Sequence, residues 1–453
     1  MRYLITGGLT ATALMLSSAA AENAEAVWAP ETFTLENGMD VVVLPDHRAP
    51  VVTHMVWYKV GAVDEDPGKS GIAHLFEHVM FKQTDDLEDG EFDSTVSRLG
   101  GQHNAFTSWD YTAYYQRVAK QHLGAMMALE AERMTDLVID EDPEGSFITE
   151  RDVVKEERRQ RVDNNPGVIL QEKVLAAFWK DHPYEITVIG RMDEVEALSP
   201  QDGIDFYRKY YSPENTILVV AGDVTGDEVR ALAEQHYGVI EPSGLVDGSR
   251  KWADVPELTE TLELVHSDPK VRQPVWYRYH NGTSQKRDRD FALALEVGLD
   301  VLGGGNTSLL YVALVEEQKL AVNVGTFAWT GLHDNGPAVI YATPSPGVTM
   351  AELEAAVMAE LTSLLEVGFS DEDVIRVRNS MAASAIYSRD SQQSMAQLYG
   401  SWLAIGGAME DLTTYEDDVR AVTPEQALEA VRQVFAPDRN YIEAHLLPAE
   451  GEL

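Results

Sequence analysis

Two histidines and a glutamate stand together at His74-Leu75-Phe76-Glu77-His78. In a helix each residue advances about 100° around the axis. His74 and His78 then share one face, a turn apart and about 40° from each other. Glu77 lies about 60° to the other side of His74. Two imidazoles so placed can ligate one divalent ion, and the adjacent carboxylate can reach a water at that ion. This is the H-x-x-E-H order, the reverse of the H-E-x-x-H zinc-binding helix pattern. The competing reading is a pair of core histidines satisfied by hydrogen bonds. It is the weaker one, because two His and a Glu in an otherwise apolar helix are costly to bury without a partner.

A catalytic zinc takes three protein ligands and keeps a fourth position open. The chain has no cysteine, so the third donor must be His, Asp or Glu. The same absence excludes disulfides, thiolate clusters and a cysteine nucleophile. Helical periodicity over residues 147–161 carries Glu150, Glu156 and Glu157. Glu150 and Glu157 are seven apart and share a face, while Glu156 points about 100° away from Glu157. Spacing leaves all three open. Most glutamates in so charged a helix are merely solvated.

Stepping outward, the elements that must hold these residues follow from pattern. Phe33–Leu35 and Met39–Leu44 flank Asn37-Gly38, a hairpin signal. Val51–Val60 reads as a strand, and Ile72–Phe81 as a helix apolar nearly all round. His122–Asp136 has helical periodicity. Asn215–Val220 reads as a strand, and a helix with an Asp or Thr cap begins in Asp223–Tyr237. Residues 241–256 form a polar Pro/Gly linker. A second cycle follows. Leu262–His266, Val275–His280, Val339–Thr343 and Tyr441–Leu446 read as strands. Asp288–Leu302, Met350–Glu366, Glu372–Arg389 and Gln426–Val434 read as helices. Trp57-Tyr58 and Trp276-Tyr277 sit in corresponding strands, which suggests a duplicated α+β unit. The expected units are 27–243, carrying the histidines, and 257–453.

Residues 1–21 read as an export signal. Arg2 precedes an apolar run and Ala19-Ala20-Ala21. The expected address is the periplasm, with secretion as the alternative. No other stretch approaches the length of a membrane span, so no integral membrane segment is expected in the mature chain. The 453 residues carry a formal charge of −40, which argues against nucleic acid as a partner. Trp402, Phe178-Trp179 and the methionines are read as core rather than function.

The stretch Gly71-Ile-Ala-His-Leu-Phe-Glu-His-Val-Met-Phe-Lys-Gln-Thr84 resembles the signature of the pitrilysin/insulinase zinc peptidases, the M16 family. That family includes the mitochondrial processing peptidases. In it the third zinc ligand is the last Glu of a downstream E-x6-E pair. Glu150-x6-Glu157 fits, so the resemblance implies Glu157 as ligand, with Glu150 orienting a ligand histidine and Glu156 the competitor. It implies one zinc ion per chain, Glu77 as the general base, and a peptide substrate. Gly100-Gly-Gln-His-Asn-Ala-Phe-Thr107 resembles the family's strand beside the zinc. The peptide is expected to pair with that strand around Asn104, Ala105, Phe106 and Thr107. His103 is a tempting ligand that no motif supports. His182–Gly190 and Tyr211–Asp223 resemble further family landmarks. The implied fold is α+β: two homologous α/β domains, each a mostly antiparallel sheet packed with helices, the LuxS/mitochondrial-processing-peptidase-like metallohydrolase fold.

One departure carries information. Gly303-Gly-Gly-Asn-Thr-Ser-Leu-Leu-Tyr311 and the residues to Val322 resemble a segment in which active members carry an Arg and, seven residues on, a Tyr. Here those positions are Val315 and Val322, which have no side-chain donor. The expectation is therefore a zinc-bearing subunit of a hetero-oligomer, whose zinc-less M16-like partner supplies the pair, with a homodimer as the alternative. Two rivals stand beside a peptidase. A non-catalytic structural or chaperone subunit predicts a broken zinc motif. A metal- or solute-binding protein needs a differently liganded site and no positioned Glu77.

Overall fold

The computed structural model describes residues 29–449 apart from 141, 143–144, 247, 249 and 251–253. The expected export signal and part of the linker lie outside the described residues. Among those described, eleven strands form two sheets. They are β1 (Glu31–Thr34), β2 (Asp40–Pro45), β3 (Val51–Tyr58), β4 (Gln102–Thr107), β5 (Thr112–Ala119), β6 (Thr216–Gly222), β7 (Leu262–Asp268), β8 (Val275–Asn281), β9 (Ala321–Ala328), β10 (Pro337–Pro344) and β11 (Tyr441–Pro448).

The first sheet runs β1-β2-β6-β3-β5-β4 and the second β7-β11-β8-β10-β9. From β2 onward the two orders are the same. Each has one parallel pair, β2 with β6 and β7 with β11, and is otherwise antiparallel. Trp57-Tyr58 and Trp276-Tyr277 fall on β3 and β8, which occupy matching places. The expected α+β architecture of two helix-covered sheets is therefore present. The first hairpin is looser than an Asn-Gly turn implies. Leu35 and Met39 close it, and the Asn37 amide is turned away to the carbonyls of Tyr237 and Ile240.

Alternation along the strands sets the layers. Val41, Val43, Val56 and Tyr58 face one core with Ala73, Phe76 and Met127. Val42, Leu44, Met55 and Trp57 face the other way, onto Met395, Ala396 and Tyr399 of the helix Gln392–Ala404. The second sheet is covered reciprocally. Val339, Ile442 and Ala444 meet Leu170, Val174 and Phe178 of the helix Pro166–Phe178. Each half thus lends a helix to the other half's sheet.

Neither lent helix is legible by period. Each buries one face, but apolar residues off that face, half-buried Val168 and Ile169 and exposed Ala176 in Pro166–Phe178 and exposed Leu398 in Gln392–Ala404, blur the stripe. A glycine in the middle of Gln392–Ala404 also argues against a helix. The structure explains it: a Cβ on Gly400 would stand 2.0 Å from the Trp57 ring. Gly400→Ala is expected to destabilise the protein by about 1–3 kcal/mol through overpacking. A urea or thermal melt of the purified variant checks this.

Candidate metal centre

The motif helix is Ile72–Val79, two residues shorter than its pattern suggested. Ile72, Ala73, Leu75, Phe76 and Val79 are buried, which turns His74, Glu77 and His78 toward the remaining face. Gly71 opens the helix at φ +87°, and a Cβ there would meet the Ile189 carbonyl at 2.7 Å. Glycine is required on both counts. The N-terminal amides are then satisfied from a distance. Gly71 N and Ala73 N donate to the Glu65 carboxylate at 3.0 and 2.9 Å. A carboxylate there also suits the helix dipole. At the other end Arg133 Nη1 donates to the Met80 carbonyl at 3.3 Å, while its guanidinium lies over Phe92 and Tyr114. Glu65 and Arg133 belong to no motif, and only the packing reveals them.

Glu150 and Glu157 lie on the helix Ser146–Arg158, which packs against the motif helix. His74 Nε2 is 3.8 Å from Glu157 Oε1, and His78 Nε2 is 3.4 Å from Glu157 Oε2. Ligand atoms of His74, His78 and Glu157 all fall within 4.8 Å of one another. Donors held about 2.1 Å from a tetrahedral ion stand about 3.4 Å apart, so this set fits zinc with little adjustment. No other group of three potential metal donors occurs among the described residues.

The neighbours of this trio are ordered around it. Glu150 Oε2 is 3.3 Å from His78 Nδ1, and Lys82 Nζ holds the other oxygen of Glu150 at 2.7 Å. Thr107 Oγ1, at the end of β4, donates to Glu77 Oε2 at 2.5 Å. Arg161 pairs with Glu157 at 2.5 Å.

The other candidates separate from the trio. Glu156 stands on the solvent side with Arg159 and Gln160. His103 pairs with Asp93 at 3.3 Å between the rings of Phe81 and Phe92. The β4 segment divides by face. Ala105 belongs to the same core as the motif helix, Phe106 stacks edge-on against Trp57 on the other face, and Asn104 is exposed. β4 is the terminal strand of its sheet. Val315 sits in a π-helical turn, Val312–Glu317, packed against the second core, and Val322 is exposed on β9.

Burial and pairing oppose one another across the site. Burial pulls the His74 imidazole down to about 4, and His78 beside it adds to the effect. Burial opposes protonation of His78 as well, but hydrogen bonds to Glu150 and Glu157 outweigh it and raise His78 to about 9. Burial raises the Glu77 carboxyl, against the Thr107 hydrogen bond that lowers it. The His78 hydrogen bond holds Glu157 below the ordinary carboxylate range.

This geometry can be set beside known proteins. The model of the insulinase family, peptidase family M16, matches residues 40–191. A second model, described as the peptidase M16 inactive domain, matches residues 197–381. The zinc protease PqqE of Helicobacter pylori is 32% identical over 393 residues, spanning 85% of this chain and 86% of that one. The chain belongs to peptidase family M16. Among solved structures, a protease from Helicobacter pylori superposes with a TM-score of 0.85 at 29% identity, covering 93% of this chain and all of that one. The M16 inactive domain from Pseudomonas fluorescens has the same fold at a TM-score of 0.81 and 17% identity, over 94% of this M16 chain and 99% of its own. No helix among the described residues of this M16 protein is long and apolar enough to cross a membrane.

Proposed function

We propose that this M16 protein is a zinc-dependent endopeptidase that takes its peptide as an extended strand. The observation that carries the reading is the convergence of His74, His78 and Glu157 beside Glu77, next to an exposed sheet edge. His74, His78 and Glu157 would hold one zinc ion, each through one donor atom. When bound, zinc supplies Lewis acidity to a water molecule and to the scissile carbonyl.

The rest of the chemistry belongs to the chain. Glu77 takes the proton from the attacking water and returns it to the leaving amine. Thr107 fixes one oxygen of that carboxylate, leaving the other to face the substrate. β4 offers its free backbone edge to the peptide, so affinity comes from main-chain hydrogen bonds with little demand on sequence. Glu150 accepts from His78 Nδ1, which directs Nε2 toward the metal and raises the ligand's basicity. Glu150→Gln is expected to weaken zinc affinity by about 10–100-fold. Competition with a chromophoric chelator reads this directly.

The two units 27–243 and 257–453 divide this labour, and the second lacks the donor pair at Val315 and Val322. We therefore assign this chain as the zinc-bearing subunit of a hetero-oligomer, with a zinc-less M16-like partner supplying those donors. Residues 1–21 direct export to the periplasm. The test is metal analysis together with a fluorogenic peptide assay, with and without such a relative. The expected result is about one zinc per chain and turnover that rises at least about tenfold when the partner is added, the scale of one lost transition-state hydrogen bond or more. Full turnover by the chain alone, unaffected by any relative, would refute the division of labour. Zinc without turnover under any combination would favour the structural-subunit reading.

A further inference from the structure

The duplication gives the second half its own counterpart of the motif helix. In the first half the motif helix lies between β3 and β4 and packs against β4 and the helix Ser146–Arg158. In the second half the helix Arg289–Gly303 lies between β8 and β9 and packs against β9 and the helix Asp371–Ser388. The two helices are topological counterparts. Both carry a glutamate that accepts a threonine hydroxyl from the end of the following strand or just beyond it. Thr107 serves Glu77, and Thr330 serves Glu296. Beside the second pair opens a cavity of about 910 Å³.

The chemistry of that cavity differs from the zinc site. No histidine lines it, and the described residues offer no group of three metal donors there. Its polar floor is Glu296 and Asp300, one turn apart on the same helix face. Glu296 also accepts from Gln285 Nε2 at 2.7 Å. Met381, Leu398, Tyr399, Trp402 and Leu412 supply apolar and aromatic wall. The arginines at its rim are already engaged with acids. Arg48 bonds Asp46 at 2.8 Å and Asp390 at 3.2 Å, Arg289 bonds Asp418 at 2.9 Å, and Arg389 bonds Glu416. No ion pair within 4 Å joins Glu296 or Asp300 to a described residue; Arg289 and Arg376 act on them only from farther off.

We propose that this cavity binds a small organic cation with an apolar body, its ammonium or guanidinium head between Glu296 and Asp300. The volume lies in the range of small-molecule sites. The wall aromatics suit a cation and an apolar chain together. Burial lifts both carboxyls above their ordinary range, so each is held at a cost that an incoming cation offsets. The site is separate from the metal centre, and the inference does not depend on peptidase activity.

Calorimetry on the full mature chain tests it, with 4-phenylbutylamine as probe and the neutral 4-phenylbutanol as its counterpart. The expected result is saturable, submillimolar binding of the amine and at least about tenfold weaker binding of the alcohol, the worth of a charge-assisted hydrogen bond. Glu296→Gln and Asp300→Asn are each expected to weaken the amine by at least about tenfold. Glu77→Gln and removal of metal by chelator should leave it unchanged. The amine–alcohol comparison is made on the wild type, so it decides even if a floor variant fails to fold. Equal binding of the two probes, no saturable binding of the amine, or amine binding that survives both floor variants would overturn the proposal. Binding only of lysine-bearing peptides, and not of the free amine, would overturn it too.

Discussion

Glu77→Gln is expected to lower kcat on a fluorogenic peptide by about 10³–10⁴-fold while zinc content stays at the wild-type level. The amide keeps the size of the carboxylate and can still accept the Thr107 hydroxyl, so the local packing is preserved. What it loses is basicity. An amide cannot take the proton from the attacking water or hand one to the leaving amine, and general acid–base catalysis is worth about 10²–10⁴. The upper part of that range applies because the proposed mechanism gives one residue both transfers. Zinc content is the discriminating control, because Glu77 is adjacent to the trio without belonging to it. Activity retained in the variant would sink the base assignment. Activity and zinc lost together would recast Glu77 as part of the metal site.

Glu157→Ala is expected to weaken zinc binding by about 10³-fold, roughly one ligand's share of a structural zinc site. Turnover should vanish at trace zinc and recover only in part at high zinc. Glu156→Ala should change neither. The pair is informative because the residues are neighbours of the same type on one helix, so composition, charge and helix propensity cancel between them. They differ in placement. Glu157 meets both histidines, whereas Glu156 meets Arg159 and Gln160 in solvent. Equal losses in the two variants would mean that helix stability, not ligation, is being measured. Metal analysis and a chelator titration check both.

Some of the site was legible because it is local. H-x-x-E-H needs only helix geometry to bring two imidazoles to one face, and the apolar residues between them decide which face is buried. The same holds for the caps. Thr225 opens the helix Gly226–His236 with a capping box to Glu228, and Asp288 opens Arg289–Gly303, as short-range rules predict. Elements whose apolar residues extend beyond the buried face were not legible. In the helices Pro166–Phe178 and Gln392–Ala404 apolar residues off the buried face, such as Val168, Ala176 and Leu398, blur the stripe, and Gly400 reads as a helix breaker until Trp57 is seen against it.

The roles around the trio were hidden for a related reason. By resemblance Thr107 belongs with Asn104, Ala105 and Phe106 to one stretch of strand. A strand alternates its side chains, so only Ala105 and Thr107 share the motif helix's side, and Thr107 alone reaches Glu77. Glu65 lies on an irregular stretch before the motif helix, where no periodicity marks it, yet its carboxylate completes the helix start.

By itself the chain's sequence determined the kind of donor available and the part of the site that lies within one helix. No cysteine means His and carboxylate, and five consecutive residues supply two imidazoles and a base. Their spacing is a property of a single helix and needs no partner. Tertiary structure decided which glutamate meets them. Glu150, Glu156 and Glu157 are chemically alike, and spacing alone leaves all three open. The packing of one helix on another turns Glu157 to both Nε2 atoms, sets Glu150 behind His78, and leaves Glu156 in water. Tertiary structure likewise set an acid-lined cavity beside the counterpart helix of the second half, where Glu296 and Asp300 stand and no histidine does.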